Sequence, residues 1–189
     1  MTIMGLGRRA LLGGLGVSVL GVTPPVGPAL IVTGAAIRTR KIVLVRFPVW
    51  EISHAMRELP RTPSRATVIS LDVDKQFEHA MLRDVDSELF NGDFRDGYRL
   101  NGFQGDALIE RLLRPVTGKL AKGTVVTVGY QAALRRTTLS VQGGGNSHVD
   151  EVAFMRATWS VWLGVSDQPG LGDALIARIT SPHGALVAG

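Results

Sequence analysis

The order in which strand-like and helix-like patterns follow one another constrains the fold of this chain more than any single motif does. Runs rich in β-branched residues come first, at positions 30–32 and 41–45, and an alternating segment follows at 76–83. Two amphipathic helical patterns come next, then two β-branched runs joined by a short connection, and then helical patterns again. Because strands arrive in runs and do not alternate with helices, we expect an antiparallel sheet with helices on one side, of class α+β.

Apolar residues recur at helical spacing in four segments, which predicts four helices. These helices are expected to begin near Asp86, Asp106, Val152 and Pro169, the last continuing through Ile179. The β-branched runs 123–131 and 136–141 predict a hairpin, and 53–64 predicts a short helix or loop. Ser147 and Asp150 have the spacing of a capping box just ahead of the third helix.

The composition excludes several kinds of chemistry. The chain has no cysteine, which rules out disulfides, thiolate nucleophiles and cysteine metal sites, and its four histidines do not occur at a metal-binding spacing. The formal charge is +5, but the basic residues are scattered and no aromatic-basic motif accompanies them. We therefore expect no metal, no cofactor and no nucleic-acid partner, and at most a peripheral contact with a membrane surface. The oligomeric state is left open.

The first 24 residues differ from the rest of the chain. A short basic stretch ending in Arg8 and Arg9 precedes an apolar, glycine-rich run and then the prolines Pro24 and Pro25. This pattern predicts an export signal of the twin-arginine type, with an uncleaved N-terminal anchor as the alternative. The expected location is the periplasm or the cell envelope.

Charged residues in two places are candidates for a site. Arg38 follows a small apolar stretch that leads into a strand, so its guanidinium either reaches water or awaits an anion. Asp84, Asp86 and Asp93 cluster with Glu88 around a predicted helix start. Acid-base work or a divalent ion is conceivable there, but the helix dipole explains the cluster more simply.

Two of the three tryptophans lie close together near the C-terminus. On a helix, Trp159 and Trp162 share a face with Met155 and Leu163, a pattern typical of a core-facing surface. The alternative is that the two indoles form the wall of a binding site.

Four short blocks then occur in a fixed order, Gly34–Arg38, Lys75–Val85, Lys122–Thr124 and Trp159–Gly164, the last followed by Pro169. Together they resemble the chalcone isomerase superfamily, most closely its bacterial chalcone-isomerase-like branch. The resemblance implies an open-faced β-sandwich over residues 25–180, followed by a tail at 181–189. In this fold a large antiparallel sheet is covered by a layer of helices, with a ligand cleft between them.

The resemblance also implies which polar groups of the isomerase site have changed. Arg38 matches the family's arginine, whereas Arg46 replaces a strand threonine and Phe90 replaces a tyrosine. Gly97 stands where the family has an asparagine, and Val161 where it has a threonine. Phenylalanine and valine cannot donate those hydrogen bonds, so we expect no chalcone cyclisation.

With these donors replaced, the resemblance implies a non-catalytic protein that binds an apolar carboxylate, such as a fatty acid, in the cleft between sheet and helices. No catalytic residue is assigned. The candidate ligand-binding residues are Arg38, Arg46, Phe90, Gly97, Val161 and Trp162. Two alternatives stay open. One is an intramolecular lyase or isomerase acting on a chalcone-like or other enone substrate, and the other is an envelope structural or interaction protein whose cleft is filled by its own side chains.

Overall fold

The computed structural model describes residues 29–42 and 45–180. The predicted export signal at 1–24 and the predicted tail at 181–189 lie outside these residues. Within the described part of the chain, no helix combines the length and the apolar character needed to cross a bilayer.

The strands of the described residues form one large antiparallel sheet and one small ladder. In chain order they are β1 (Ile31–Ile42), β2 (Val45–Met56), β3 (Lys75–Met81), β4 (Val85–Asp86), β5 (Lys119–Leu120), β6 (Val125–Gln131), β7 (Arg136–Val141) and β8 (Asn146–Asp150). The large sheet has the order β1-β2-β3-β6-β7-β8, and β4 pairs with β5 in the small one. Every pairing in the large sheet is antiparallel, as the order of the sequence patterns predicts.

Six α-helices lie between and after these strands in the described part of the chain. They are α1 (Arg65–Ser70), α2 (Ser87–Leu100), α3 (Asp106–Leu113), α4 (Val152–Leu163), α5 (Leu171–Ala174) and α6 (Ala177–Thr180). α4 contacts α2, α1 and α5, so it lies at the centre of the helical layer.

The helices cover one face of the sheet because only that face is apolar. Ile52 of β2 pairs with His79 of β3, which pairs with Val126 of β6, and all three side chains are buried. At the register positions on either side of this row, Glu51 opposite Ala80 and Glu78 opposite Ser53 point the other way and are exposed. The α+β class and the open-faced arrangement are therefore confirmed.

Several predicted elements differ in detail from the structure. The 41–45 run is the junction of β1 and β2, and its positions 43–44 lie outside the described residues. β2 continues to Met56, through part of the segment predicted as a helix or loop, because its alternate residues face the core. The predicted last helix is two short ones, α5 and α6.

The predicted capping box is wrong. Ser147 and Asp150 belong to the strand β8, which pairs with β7 at the edge of the sheet. The Ser147 hydroxyl faces inward and donates a hydrogen bond to the carbonyl of Leu112, 2.5 Å away. The residue that precedes α4 is Glu151, and its side chain makes no capping hydrogen bond.

Candidate ligand-binding cleft

A cavity of about 240 Å³ lies between β1, α2, the C-terminal end of α4 and the segment that follows α4. Four of the residues predicted for the site line it: Arg38, Gly97, Val161 and Trp162. The remaining lining residues include further charged side chains that the sequence analysis did not assign to a site. The cavity therefore combines an apolar wall with a charged one.

Arg38 supplies the buried positive charge. Its side chain is 3% exposed, and Nε donates a hydrogen bond to Oδ2 of Asp93 at 2.7 Å. The two terminal nitrogens donate to the two carboxylate oxygens of Asp167 at 2.7 and 3.0 Å, a bidentate pair. A guanidinium can be buried here because these two carboxylates neutralise it. The alternative in which Arg38 reaches water is wrong.

Arg40 extends this ionic cluster. It pairs with Oδ1 of Asp93, and its Nη1 lies 3.9 Å from the Asp167 carboxylate. Burial and the neighbouring charge of Arg38 lower the pKa of Arg40. Partial burial opposes ionisation of Asp167, but hydrogen bonds from Arg38 and the charges of both arginines lower its pKa below the usual range. The cluster holds two guanidinium groups and two carboxylates, so it is neutral.

Gly97 and Val161 bring α2 and α4 into close contact. A Cβ atom added to Gly97 would lie 2.5 Å from Cγ1 of Val161, closer than atoms can approach without displacement. A side chain at position 97 therefore requires Val161 to move, whatever its chemistry. Neither residue offers a side-chain hydrogen bond to the cavity.

Phe90 lies deeper than the sequence analysis expects. It is fully buried, with ring centroids 5.3 Å from Trp50, 5.4 Å from His79 and 5.1 Å from Phe94. It does not line the cavity, because Phe94 and Trp162 pack against each other and against His79 on the near side. The interior behind the cavity is filled with aromatic rings.

Arg46 is exposed near the start of β2, opposite Lys41 of β1. It lines a second hollow of about 160 Å³ that shares Arg38, Arg40 and Asp167 with the main cavity. The structure thus places Arg46 outside the main cavity, beside the ionic cluster.

Several buried polar atoms around the cavity have no hydrogen-bond partner among the described residues. They include Nε1 of Trp162, Nε of Arg40 and, behind Trp162, Nε2 of His79. The His79 Nδ1 atom lies 3.2 Å from the carbonyl of Val126, and burial lowers the pKa of this histidine to about 4, so the ring is neutral. Buried polar groups without partners are uncommon in folded proteins, and they suit a place where a ligand or water supplies the missing bond.

The segment 164–170 closes one side of the cavity and is itself well anchored. The Gln168 side-chain amide donates to the carbonyl of Ile37 at 2.8 Å and accepts from the amide of Thr39 at 2.9 Å. Asn101 exchanges hydrogen bonds with both backbone groups of Val165, at 2.8 and 3.0 Å. Asp167 therefore projects from a fixed piece of backbone.

Sequence reasoning missed Arg40, Asp93 and Asp167 as members of the site. Arg38 and Arg40 are two residues apart on a strand, a spacing that favours one face and could have drawn attention to Arg40. Asp93 was counted among the acids of a helix start, whereas its carboxylate is fully buried in the second turn of α2. No local pattern distinguishes Asp167 from other loop aspartates.

Comparison with known proteins adds a fold-level likeness. No protein-family model matches the sequence, and no curated protein matches it either. Among solved structures, a fatty-acid binding protein of Arabidopsis thaliana is similar, with a TM-score of 0.64 and 9% sequence identity. The likeness covers 80% of this chain and 88% of that one. The neighbour has the chalcone isomerase-like fold, and the present chain shares it. At this identity the likeness shows the fold alone.

Proposed function

We propose that this protein binds a carboxylate with an apolar body, such as a fatty acid, in the cleft between sheet and helices, without catalysing a reaction on it. The observation that carries the proposal is the position of Arg38. Its buried guanidinium lies in the wall of a cavity whose other side is formed by Val161, Trp162 and Leu100. Six of the eleven residues that line the cavity are charged, and the others supply mainly apolar surface; apolar surface with placed polar groups is typical of small-molecule sites. The fatty-acid binding neighbour is consistent with such a ligand.

The size of the cavity favours a short ligand. Its 240 Å³ is below the range of roughly 300–1,000 Å³ that is usual for drug-sized ligands. Because Phe94 and Trp162 close the interior, a long acyl chain has no room behind the cavity. We therefore propose that the carboxylate and the first carbons are enclosed, and that any longer chain leaves through the mouth past Leu100, whose side chain is partly exposed.

The isomerase alternative has less support. Gly97 and Val161 line the cavity without a hydroxyl or amide side chain, and Phe90 lies outside it. These three positions therefore supply no donor to polarise a ketone, although Ser166 also lines the cavity, and each such donor typically contributes about 10²–10³ in rate. An absorbance assay with micromolar protein and a chalcone substrate tests this alternative, and cyclisation above the spontaneous rate would support it.

A second candidate function is favoured by the filled interior. Aromatic rings occupy the space behind Trp162, so an interaction protein with no ligand is the competing proposal. It predicts that no carboxylate binds at any chain length.

Titration of the purified protein with octanoate, dodecanoate and hexadecanoate, followed by calorimetry and native mass spectrometry, separates these proposals. We expect octanoate to bind and Arg38→Lys, which lacks the bidentate fork, to bind it more weakly. Failure of all three carboxylates to bind the wild type would contradict the proposed function.

A second variant keeps the test informative if substitution of Arg38 impairs folding. Leu100→Glu places a negative charge on the cavity wall, at a side chain that is 49% exposed. We expect it to weaken octanoate binding by about tenfold, which corresponds to about 1.4 kcal/mol. Leu134→Glu is the matched control, because Leu134 is 54% exposed in the connection between β6 and β7 and does not line the cavity. Equal affinity in the two variants would contradict the location of the site.

We also propose that the protein is exported, and this rests on the N-terminal sequence alone. Replacement of Arg8 and Arg9 by lysine should leave the protein in the cytoplasm if the pair directs twin-arginine export. Fractionation of cells that produce each form tests this. Equal distribution of the two forms would contradict the twin-arginine assignment.

A further inference from the structure

We propose that Asp167 occupies the anion position on Arg38 in the free protein, and that the carboxylate of the ligand displaces it. This inference rests on the proposed function and deepens it. Asp167 then determines how tightly the site binds its ligand.

The geometry of Arg38 leaves one position for a carboxylate. Nε is committed to Asp93, and the two terminal nitrogens form a fork that matches two carboxylate oxygens. Asp167 fills that fork at 2.7 and 3.0 Å, as the carboxylate of a ligand would. In the free protein, the terminal nitrogens of Arg38 are thus already bound to a carboxylate of the chain itself, that of Asp167.

The charge of the cluster decides whether a ligand carboxylate is added to the existing ion pairs or replaces one of their carboxylates. Arg38 and Arg40 carry two positive charges, which Asp93 and Asp167 balance. A third carboxylate would leave a net negative charge beside the buried side chains of Arg38 and Asp93, which is unfavourable. Exchange of one carboxylate for another keeps the cluster neutral.

Asp167 is the carboxylate that can leave. Its side chain is 53% exposed, so water can solvate it once it turns away, whereas the side chain of Asp93 is fully buried on α2. The hydrogen bonds of Gln168 and of Val165 hold the backbone on both sides of Asp167. Exchange therefore needs rotation of one side chain and no movement of the segment 164–170.

The test measures the affinity of octanoate for Asp167→Asn. The asparagine keeps the size of the side chain but removes its charge, so the ligand competes with a weaker partner. We expect octanoate to bind about tenfold more tightly than to the wild type, the effect of losing one charge-assisted contact. Asp150→Asn is the matched control, because Asp150 makes a similar bidentate pair with Arg136 at 2.6 and 2.9 Å, on β7 and β8. We expect this control to bind as the wild type does.

The outcomes separate the two proposals. Binding by the wild type with equal or weaker binding by Asp167→Asn overturns the exchange and leaves the proposed function in place. Absence of binding in both proteins overturns both proposals. A second measurement does not depend on a variant. At pH 7 the side-chain carboxyl carbon of Asp167, followed by NMR, should shift and saturate as octanoate is added, because the carboxylate leaves Arg38 for water, and an unchanged signal at saturating octanoate would overturn the exchange.

Discussion

Trp159 and Trp162 lie less than one turn apart on α4, yet their surroundings differ in kind. The indole N–H of Trp159 donates to Nε2 of His54 at 3.0 Å, and Nδ1 of His54 lies 2.6 Å from the hydroxyl of Thr33. That hydroxyl donates in turn to the carbonyl of Leu175 at 2.8 Å. Around Trp162 the indole N–H and Nε2 of His79 have no partner among the described residues.

Lys75 strengthens the contrast, because it adds a fully hydrogen-bonded ammonium beside the polar network of Trp159, His54 and Thr33. We call this network, with Lys75, the Trp159 end, and we call the surroundings of Trp162 and His79 the Trp162 end. The Lys75 ammonium lies 5.0 Å from the Trp159 ring and donates to three carbonyls at the end of α1, at 2.7, 2.8 and 3.1 Å. Three donors thus meet three acceptors, and the end of the helix is capped. A buried polar network that is fully satisfied stabilises one structure, whereas the groups without partners around Trp162 lie where we propose that the ligand binds. The comparison assigns Trp159 to the fold and Trp162 to the cleft.

The largest expected effect concerns a property that both ends share, a buried neutral histidine. Burial lowers the pKa of His54 to about 3 and that of His79 to about 4, from 6.5. Below about pH 6.5 the unfolded chain therefore takes up protons that the folded chain does not bind. The free energy of unfolding therefore decreases as the pH falls below about 6.5. Each histidine contributes about 1.4 kcal/mol per pH unit, down to about pH 4 for His79 and about pH 3 for His54.

Urea unfolding at several pH values between 6.5 and 4.5 measures this slope. His79→Phe, which suits the aromatic surroundings, should remove about half of the slope because His54 remains. An unchanged slope in this variant would contradict the assignment of a buried neutral imidazole at the Trp162 end.

The next effect concerns the helix contact beside the cavity. Gly97→Asn should destabilise the protein by about 1–3 kcal/mol, because the new Cβ collides with Val161. Val161→Ala removes the methyl group that collides, so the double variant should lose less stability than the sum of the single changes. Urea unfolding of the three variants measures this coupling, and strictly additive losses would show that the two helices do not meet as described.

A third prediction compares the two tryptophans directly. Trp159→Phe leaves Nε2 of His54 without a donor and should destabilise the protein by about 1–3 kcal/mol, plus the packing lost with the smaller ring. Trp162→Phe removes the same atoms but breaks no hydrogen bond within the described residues, so its loss should be smaller. Thermal or urea unfolding ranks the two variants, and equal losses would contradict the distinction between the two ends.

Periodicity was enough to predict six of the longer elements, but it did not give the bounds of the two longest strands, β1 and β2. α2, α3, α4, β3, β6 and β7 follow from apolar spacing or β-branched runs, because each buries one face over several residues. β8 was missed because a short, polar edge strand has only two inward positions, Ser147 and Val149, and its polar residues imitate a helix start. The end of β2 was missed because its inward residues, His54 and Met56, are not typical strand formers.

The site was predictable only in part, for a related reason. The resemblance placed Arg38, Gly97, Val161 and Trp162 in one cleft, and the cavity brings these four together. The carboxylates that pair with Arg38 lie 55 and 129 residues further along the chain. Nothing in the local sequence marks such partners, because only the packing of α2 and of the segment after α4 brings them to β1.

Resonances of the indole N–H groups test the central distinction most directly. In ¹⁵N-labelled protein the signals of Trp50, Trp159 and Trp162 can be assigned with Trp→Phe variants and followed during titration with octanoate. The account predicts that the Trp162 signal shifts and saturates with the ligand, while the Trp159 signal, held by His54, stays in place. A shift confined to Trp159, or no shift in any of the three, would contradict the assignment of the Trp162 end as the ligand-binding cleft.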